Sequence, residues 1–117
     1  MAKTEKKYYS YEQYLRIEQE TGVRHEYYKG EVFALAGGTK RHNRLTRTIA
    51  NLIEGSVASS GCEVYTSDVK LELAHLDHYV YPDVIVTCPP EDLANDEMIY
   101  VNHPHILVEI LSIPRLK

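Results

Sequence analysis

The sequence has no tryptophan, one phenylalanine and only two cysteines among its 117 residues. It contains no apolar run long enough to cross a bilayer. Its first residues, MAKTEKKYYS, carry charge but not the apolar stretch of a signal peptide. So few cysteines exclude a disulfide scaffold. Cys62 and Cys88 make no CxxC spacing and read as small core residues of a reducing compartment rather than as a bridge. Positive charge is in deficit, with 13 Lys and Arg against 17 Asp and Glu and a net charge of −4. That balance argues against gripping nucleic acid by bulk charge, yet it leaves room for a local basic groove. With 44% apolar residues, neither disorder nor a collagen-like repeat fits. What is abundant is tyrosine, ten in all. The length suits one domain that buries roughly two thirds of its unfolded surface. A soluble, cytoplasmic protein without membrane contact is expected.

Residues 1–9 are polar and basic and predict a flexible N-terminus, followed by a single domain over 10–117. Ser10-Tyr11-Glu12-Gln13 has capping-box spacing and Gly22 closes the pattern, so a first helix is expected over about 10–21. Lys29-Gly30 reads as a tight turn between strands at 24–28 and 31–36. Leu45, Ile49, Leu52, Ile53 and Val57 recur at helical intervals and predict a second helix over about 40–58 with that face inward. After Gly61 the period shortens. CEVYT, DVKLELA and YVYPDVIVTC read as strands, CPPEDLANDEM as a loop, and Ile106–Leu111 as a last apolar strand. The expected order α-β-β-α-β-β-β-β makes an α/β or α+β fold, a mixed sheet flanked by helices.

Two acids sit in apolar surroundings. Asp83 follows Pro82 ahead of Val84-Ile85-Val86, and Glu109 stands within Ile106-Leu107-Val108-Glu109-Ile110-Leu111. An unpaired carboxylate in an apolar strand costs several kcal/mol, so such acids have a cation, a basic partner or solvent beside them. Two neighbouring strands that each end in a carboxylate form an oxygen cage suited to Mg²⁺. Such an ion lowers the pKa of a water and polarises a phosphodiester. Glu31, after Gly30, is either a polar residue following a turn or a further oxygen ligand.

The segments RHEYYKGEVFALAGGTKRHNRL, YPDVIVTC and HPHILVEILS resemble the Uma-two family of restriction endonucleases, grouped with the PD-(D/E)XK nuclease superfamily. The resemblance runs from about Ser10 to Ser112. It implies a restriction-endonuclease-like core, a site using Mg²⁺ or Mn²⁺, and DNA as substrate. It also implies Asp83 and Glu109 as metal-binding acids and Glu31 as the accessory acid. Leu111 stands where the superfamily places a lysine, and the turn Ser112-Ile113-Pro114 is followed only by Arg115, Leu116 and Lys117. The expectation is a C-terminally truncated member that lacks the final helix and strands, binds its ion weakly and cleaves poorly or not at all. Lys70 is the candidate to supply the missing ammonium, which orients the attacking water and offsets phosphate charge. The alternative for Lys70 is a solvent-facing strand residue.

Lys40, Arg41, Arg44 and Arg47 open the second helix and are the candidate phosphate contacts, with His42 among them as a residue that approaches the site or starts the helix. The pairs His75/His78 and His103/His105 read as turn polarity, and the tyrosines as half-buried packing. An uncovered last strand exposes an apolar face and edge, which predicts a homodimer or larger oligomer. The reading that competes with an endonuclease is a non-catalytic remnant of the fold, serving oligomerisation or DNA binding.

Overall fold

A computed structural model describes residues 6–111 of the chain. Its elements run α1 (Tyr11–Thr21), β1 (His25–Tyr28), β2 (Glu31–Ala34), α2 (Lys40–Val57), β3 (Glu63–Thr66), β4 (Lys70–Leu73), β5 (His78–Val80), β6 (Val84–Thr87), α3 (Pro90–Leu93), β7 (Tyr100–Val101) and β8 (Pro104–Val108). This is a mixed α+β architecture. The chain divides into two units, Met1–Ala36 with Glu72–Val80, and Gly37–Leu71 with Tyr81–Lys117. Strand β4 therefore begins in the second unit and ends in the first.

In the first unit, the Ser10 hydroxyl accepts the Gln13 N–H at 3.1 Å and the Gln13 side chain accepts the Ser10 N–H at 2.8 Å. Two donors that the first helical turn leaves unpaired are thus satisfied reciprocally. Gly22 closes α1 in the left-handed region at φ 66°, its N–H returning to the Glu18 carbonyl. Strands β1 and β2 pair antiparallel from His25↔Ala34 to Tyr28↔Glu31. Lys29 and Gly30 turn between them at φ 47° and 92°, both positive as the twist of a two-residue hairpin demands. Strand β5 lies on the other side of β1, with Tyr27 opposite Tyr79.

The core of this unit is built of tyrosine. Tyr14, Tyr27 and Tyr79 are buried, with Tyr14 and Tyr27 ring centres 5.1 Å apart and Tyr27 edge-on to Tyr79 at 5.5 Å. A buried phenol needs a partner for its hydroxyl. Tyr14 donates to the His25 carbonyl at 2.6 Å, and Tyr27 to the Tyr9 carbonyl at 2.8 Å. The surplus of tyrosine in the composition is therefore a core whose rings pack and whose hydroxyls tie down neighbouring backbone. Burial raises the pKa of both Tyr27 and Tyr79 above the ordinary phenol value.

In the second unit, β3, β6 and β8 form an antiparallel sheet in that order, with β6 central and buried along its whole length. Helix α2 packs against β3. Its inward side carries His42, Thr46, Ile49, Ala50 and Ile53, whereas Leu45 and Leu52 are 43% and 69% exposed. The expected apolar face was thus rotated. The small residues Thr46 and Ala50 face inward, and hydropathy alone favours the leucines. Strand β7 pairs parallel with the start of β4.

Four further expectations are corrected. YVYPDVIVTC is two strands, β5 and β6, because Pro82 has no N–H to give a ladder. The last strand ends at Val108, so Glu109 lies one residue beyond it and is exposed rather than buried in its middle. The loop after Cys88 holds the short helix α3, where Pro90 fits the first turn. Cys62 and Cys88 are not separate core thiols but a disulfide, with Cα atoms 4.1 Å apart. They flank Glu63↔Thr87, the last pair of the β3–β6 ladder, so the register brings them face to face. The Ser112-Ile113-Pro114 turn and Lys117 lie outside the described residues.

Candidate functional site

The site is built at one end of the β3–β6–β8 sheet. Val84 of β6 pairs with Val108 of β8. The residues flanking that pair are Asp83, just before β6, and Glu109, just after β8, so the two acids stand at the same end of neighbouring antiparallel strands. Pro82 stops the ladder there. Asp83 then turns back onto the sheet end, its carbonyl accepting the Ser67 N–H at 3.1 Å and its Oδ2 accepting the Ile110 N–H at 2.7 Å.

A second element converges on the same oxygen. Thr39 caps α2, its hydroxyl accepting the His42 N–H at 3.1 Å, which fixes His42 at the third helical position. Thr46, one turn on, donates its hydroxyl to the His42 carbonyl at 2.9 Å. The His42 ring lies so close to Gly38 that a Cβ on Gly38 would stand 3.3 Å from Nδ1. Nε2 of His42 is then 3.1 Å from Oδ2 of Asp83, and the two side chains are 22% and 14% exposed. His42, placed among the phosphate contacts by sequence, is thus against the carboxylate itself.

The other candidates distribute as follows. Lys70 is buried at 1% exposure, with Nζ 5.8 Å from the ring centre of Tyr81, so it is not a solvent-facing strand residue. Lys40, Arg41, Arg44 and Arg47 are all exposed along the first half of α2, and none is in an ion pair among the described residues. Glu31 belongs to the first unit, where it pairs with Lys6 at 2.9 Å and raises the lysine pKa. A groove of about 900 Å³ in the first unit, lined by Tyr28, Phe33, Leu76 and His78 among others, contains none of the predicted site residues.

Among the described residues no three His, Cys, Asp or Glu side chains are already gathered as a metal cluster. The donors at the sheet end still fit a hard divalent ion. Such ions are commonly held by one or two carboxylates and completed by water and phosphate oxygens.

Sequence reasoning missed Asp92, which it left in an acidic loop. Asp92 is 5% exposed and accepts from the Thr87 hydroxyl at 2.6 Å and from the N–H groups of Asn102 and His103 at 3.0 and 2.9 Å. Burial pushes its pKa up, but those hydrogen bonds and the His103 charge outweigh it and leave the pKa below the ordinary value. Tyr65 shows the opposite balance. Its burial, its hydrogen bond to Glu63 and the nearby Asp96 and Asp92 carboxylates all push its phenol pKa far upward.

The family model described as "Putative restriction endonuclease" (Uma2) matches residues 11–113. The chain belongs to the Uma2 family. Among curated proteins, this Uma2 chain is 33% identical over 101 residues to "Uncharacterized protein slr1290" of Synechocystis sp., a match covering 86% of the chain and 52% of that protein. It is 30% identical over 100 residues to "Uncharacterized protein sll1609" of the same organism, covering 86% and 56%. The Uma2 chain therefore spans about half the length of the curated relatives it matches. Its fold is similar to that of a "putative nuclease belonging to DUF820" from Anabaena variabilis, with a TM-score of 0.63, 19% identity, and coverage of 79% of this chain and 52% of that one. No helix among the described residues is long and apolar enough to cross a membrane.

Proposed function

We propose that this chain carries part of a divalent-metal-dependent endonuclease site that hydrolyses phosphodiester bonds in DNA. The observation that carries the reading is the placement of Asp83 and Glu109 at the same end of the paired strands β6 and β8, with Asp83 pinned by the Ile110 N–H. Family membership supports a nuclease.

Mg²⁺ or Mn²⁺ would be held by Asp83 and Glu109, and when bound it supplies a water of lowered pKa and a counter-charge for the phosphate. The protein's own residues have separate tasks. Asp83, held by main-chain and side-chain donors, presents a fixed carboxylate. Lys70, buried beside Tyr81, offers a positive charge for the transition state. Lys40, Arg41, Arg44 and Arg47 draw the DNA backbone along the exposed side of α2. Leu111 at the position two after Glu109 removes the usual lysine, so turnover by this chain alone is slow. The setting is cytoplasmic, which makes the Cys62–Cys88 bridge reducible there.

A second reading has its own support. Strand β8 ends the order β3-β6-β8, and Ile106, Leu107 and Leu111 are 41%, 47% and 90% exposed. An apolar strand edge that has no neighbour among the described residues favours association. The chain would then act as a homodimer or larger oligomer, with catalysis secondary to assembly or DNA binding.

The test is plasmid nicking in Mn²⁺ by the chain and by Asp83→Ala and Glu109→Ala. Slow nicking lost in both variants supports the endonuclease. Nicking that survives both substitutions contradicts it, and DNA binding without any nicking favours the second reading.

A further inference from the structure

We propose that the outer face of strands β2, β1 and β5 is a stacking platform for the bases of single-stranded DNA, with Phe33 and Tyr28 as its two rings. The inference rests on the reading that the chain works on DNA, and it names the form of DNA that this face holds.

The strand register builds the platform. Tyr27 of β1 faces α1, its ring centre 5.1 Å from that of Tyr14. Side chains alternate along a strand, so Glu26 and Tyr28 point to the other face. Phe33 of β2 stands opposite Glu26, and His78 of β5 stands opposite Tyr28. Directly opposed residues share a face, and diagonal neighbours on it lie about 7–8 Å apart. Phe33 and Tyr28 are such a diagonal pair, and they are 50% and 42% exposed. Tyr28 thus departs from Tyr14, Tyr27 and Tyr79, whose rings make the core. His78 meets Tyr28 edge-on with ring centres 5.0 Å apart and so buttresses the tyrosine ring. These side chains line the groove of about 900 Å³.

The chemistry of the lining selects the occupant. Exposed aromatic faces take unpaired bases, whereas a duplex keeps its base faces stacked on one another. Lys29 adds charge at the hairpin end of the face. Its ammonium is 5.4 Å from the Tyr28 ring centre, in reach of a phosphate beside a base that lies on that ring. Glu26 and Asp77 also line the groove. They repel phosphate, which keeps the backbone to the Lys29 side, and they can accept from the amino groups of base edges. Leu76 is the one aliphatic side chain in the lining, so the groove lacks the apolar floor that an amphipathic helix requires.

Binding is measured by fluorescence anisotropy, in EDTA so that no strand is cut, with a labelled oligodeoxycytidylate and a labelled blunt duplex as probes. Phe33→Ala and Tyr28→Ala should each weaken single-strand binding by about fivefold or more and leave duplex binding unchanged. Tyr28→Phe keeps the ring and should bind as the unsubstituted chain does. Single-strand binding that both alanine variants retain, or a loss shared equally by the duplex, overturns the proposal and leaves the DNA reading standing. An unsubstituted chain that binds the duplex alone does the same, and one that binds neither probe overturns both.

Should the alanine variants not fold, Phe33 decides, since it is the one phenylalanine of the chain. With ¹³C-phenylalanine in the unsubstituted chain, nuclear Overhauser contacts between its ring and base protons of the bound oligonucleotide support the proposal. Their absence in the saturated complex overturns it.

Discussion

Ile110 donates its backbone N–H to Oδ2 of Asp83 over 2.7 Å, which ties the segment after β8 to the start of β6 through a side chain rather than through the ladder. The ladder ends at Val84↔Val108, and the carboxylate extends the pairing one step past it. The acid at this place is therefore both a structural clasp and the oxygen donor on which the functional reading depends.

That double role predicts two different costs. Asp83→Ala leaves the Ile110 N–H and the His42 ring without their acceptor and should lower stability by about 1–3 kcal/mol. Asp83→Asn keeps an acceptor for Ile110 and should cost less, while still removing the negative charge. Urea denaturation of the two variants checks the ranking, and equal losses would show that the clasp is not held by the acceptor oxygen.

Asp92 makes stability depend on pH in a stated direction. Its native pKa is depressed, so the unfolded chain binds more protons in the acid range. Its contribution is complete above the unfolded carboxylate value, at about pH 4, and is lost as pH falls through the lower native value. Asp92→Asn removes that contribution and should flatten the acid limb of the stability curve. Urea midpoints between neutral and strongly acid pH measure it, and an acid limb as steep in the variant as in the parent would contradict the assignment.

The Cys62–Cys88 bridge closes a sequence separation of 26 residues. Chain-entropy arguments give about 3–4 kcal/mol for a loop of that length. Cys62→Ala with Cys88→Ala, or reduction with dithiothreitol, should lower the melting temperature. The acids at residues 83 and 109 lie at the other end of the sheet, so metal binding should survive at temperatures where the reduced chain is still folded.

Tyr14 joins the packing and the hydrogen bonding of the first unit. Tyr14→Phe keeps the ring but leaves the His25 carbonyl without its hydroxyl donor, an expected loss of about 1–2 kcal/mol. Tyr14→Ala removes a fully buried ring and should cost about 3–5 kcal/mol. Comparing the two by denaturant midpoints separates the hydroxyl from the ring.

Local rules made much of this molecule legible. Ser10 with Gln13, Gly22 and the Lys29-Gly30 turn are short-range signals, and each appears as expected. The rotated face of α2 was not legible, since the choice between Leu45 and Thr46 as the inward residue depends on what β3 offers across the gap. The break at Pro82 was readable in principle, because a proline inside an apparent strand argues for a boundary. The disulfide and the Asp92 network depend on register and on loop closure between distant segments, which composition and spacing do not encode. The acids at 83 and 109 stood out as charges in apolar runs, but the placement of Glu109 beyond the strand end, in solvent, followed only from the register of β8. The approach of His42 to Asp83 spans forty-one positions of sequence and needed the fold.

The most direct test is a Mn²⁺ titration of thermal stability on the folded chain, Asp83→Asn and Glu109→Gln. A ligand bound only by the native state raises the melting temperature in proportion to its occupancy. The sheet-end site requires a saturable rise in the parent chain that is abolished in Asp83→Asn and reduced in Glu109→Gln. A parent chain that does not respond to Mn²⁺, or two variants that respond as the parent does, would contradict it.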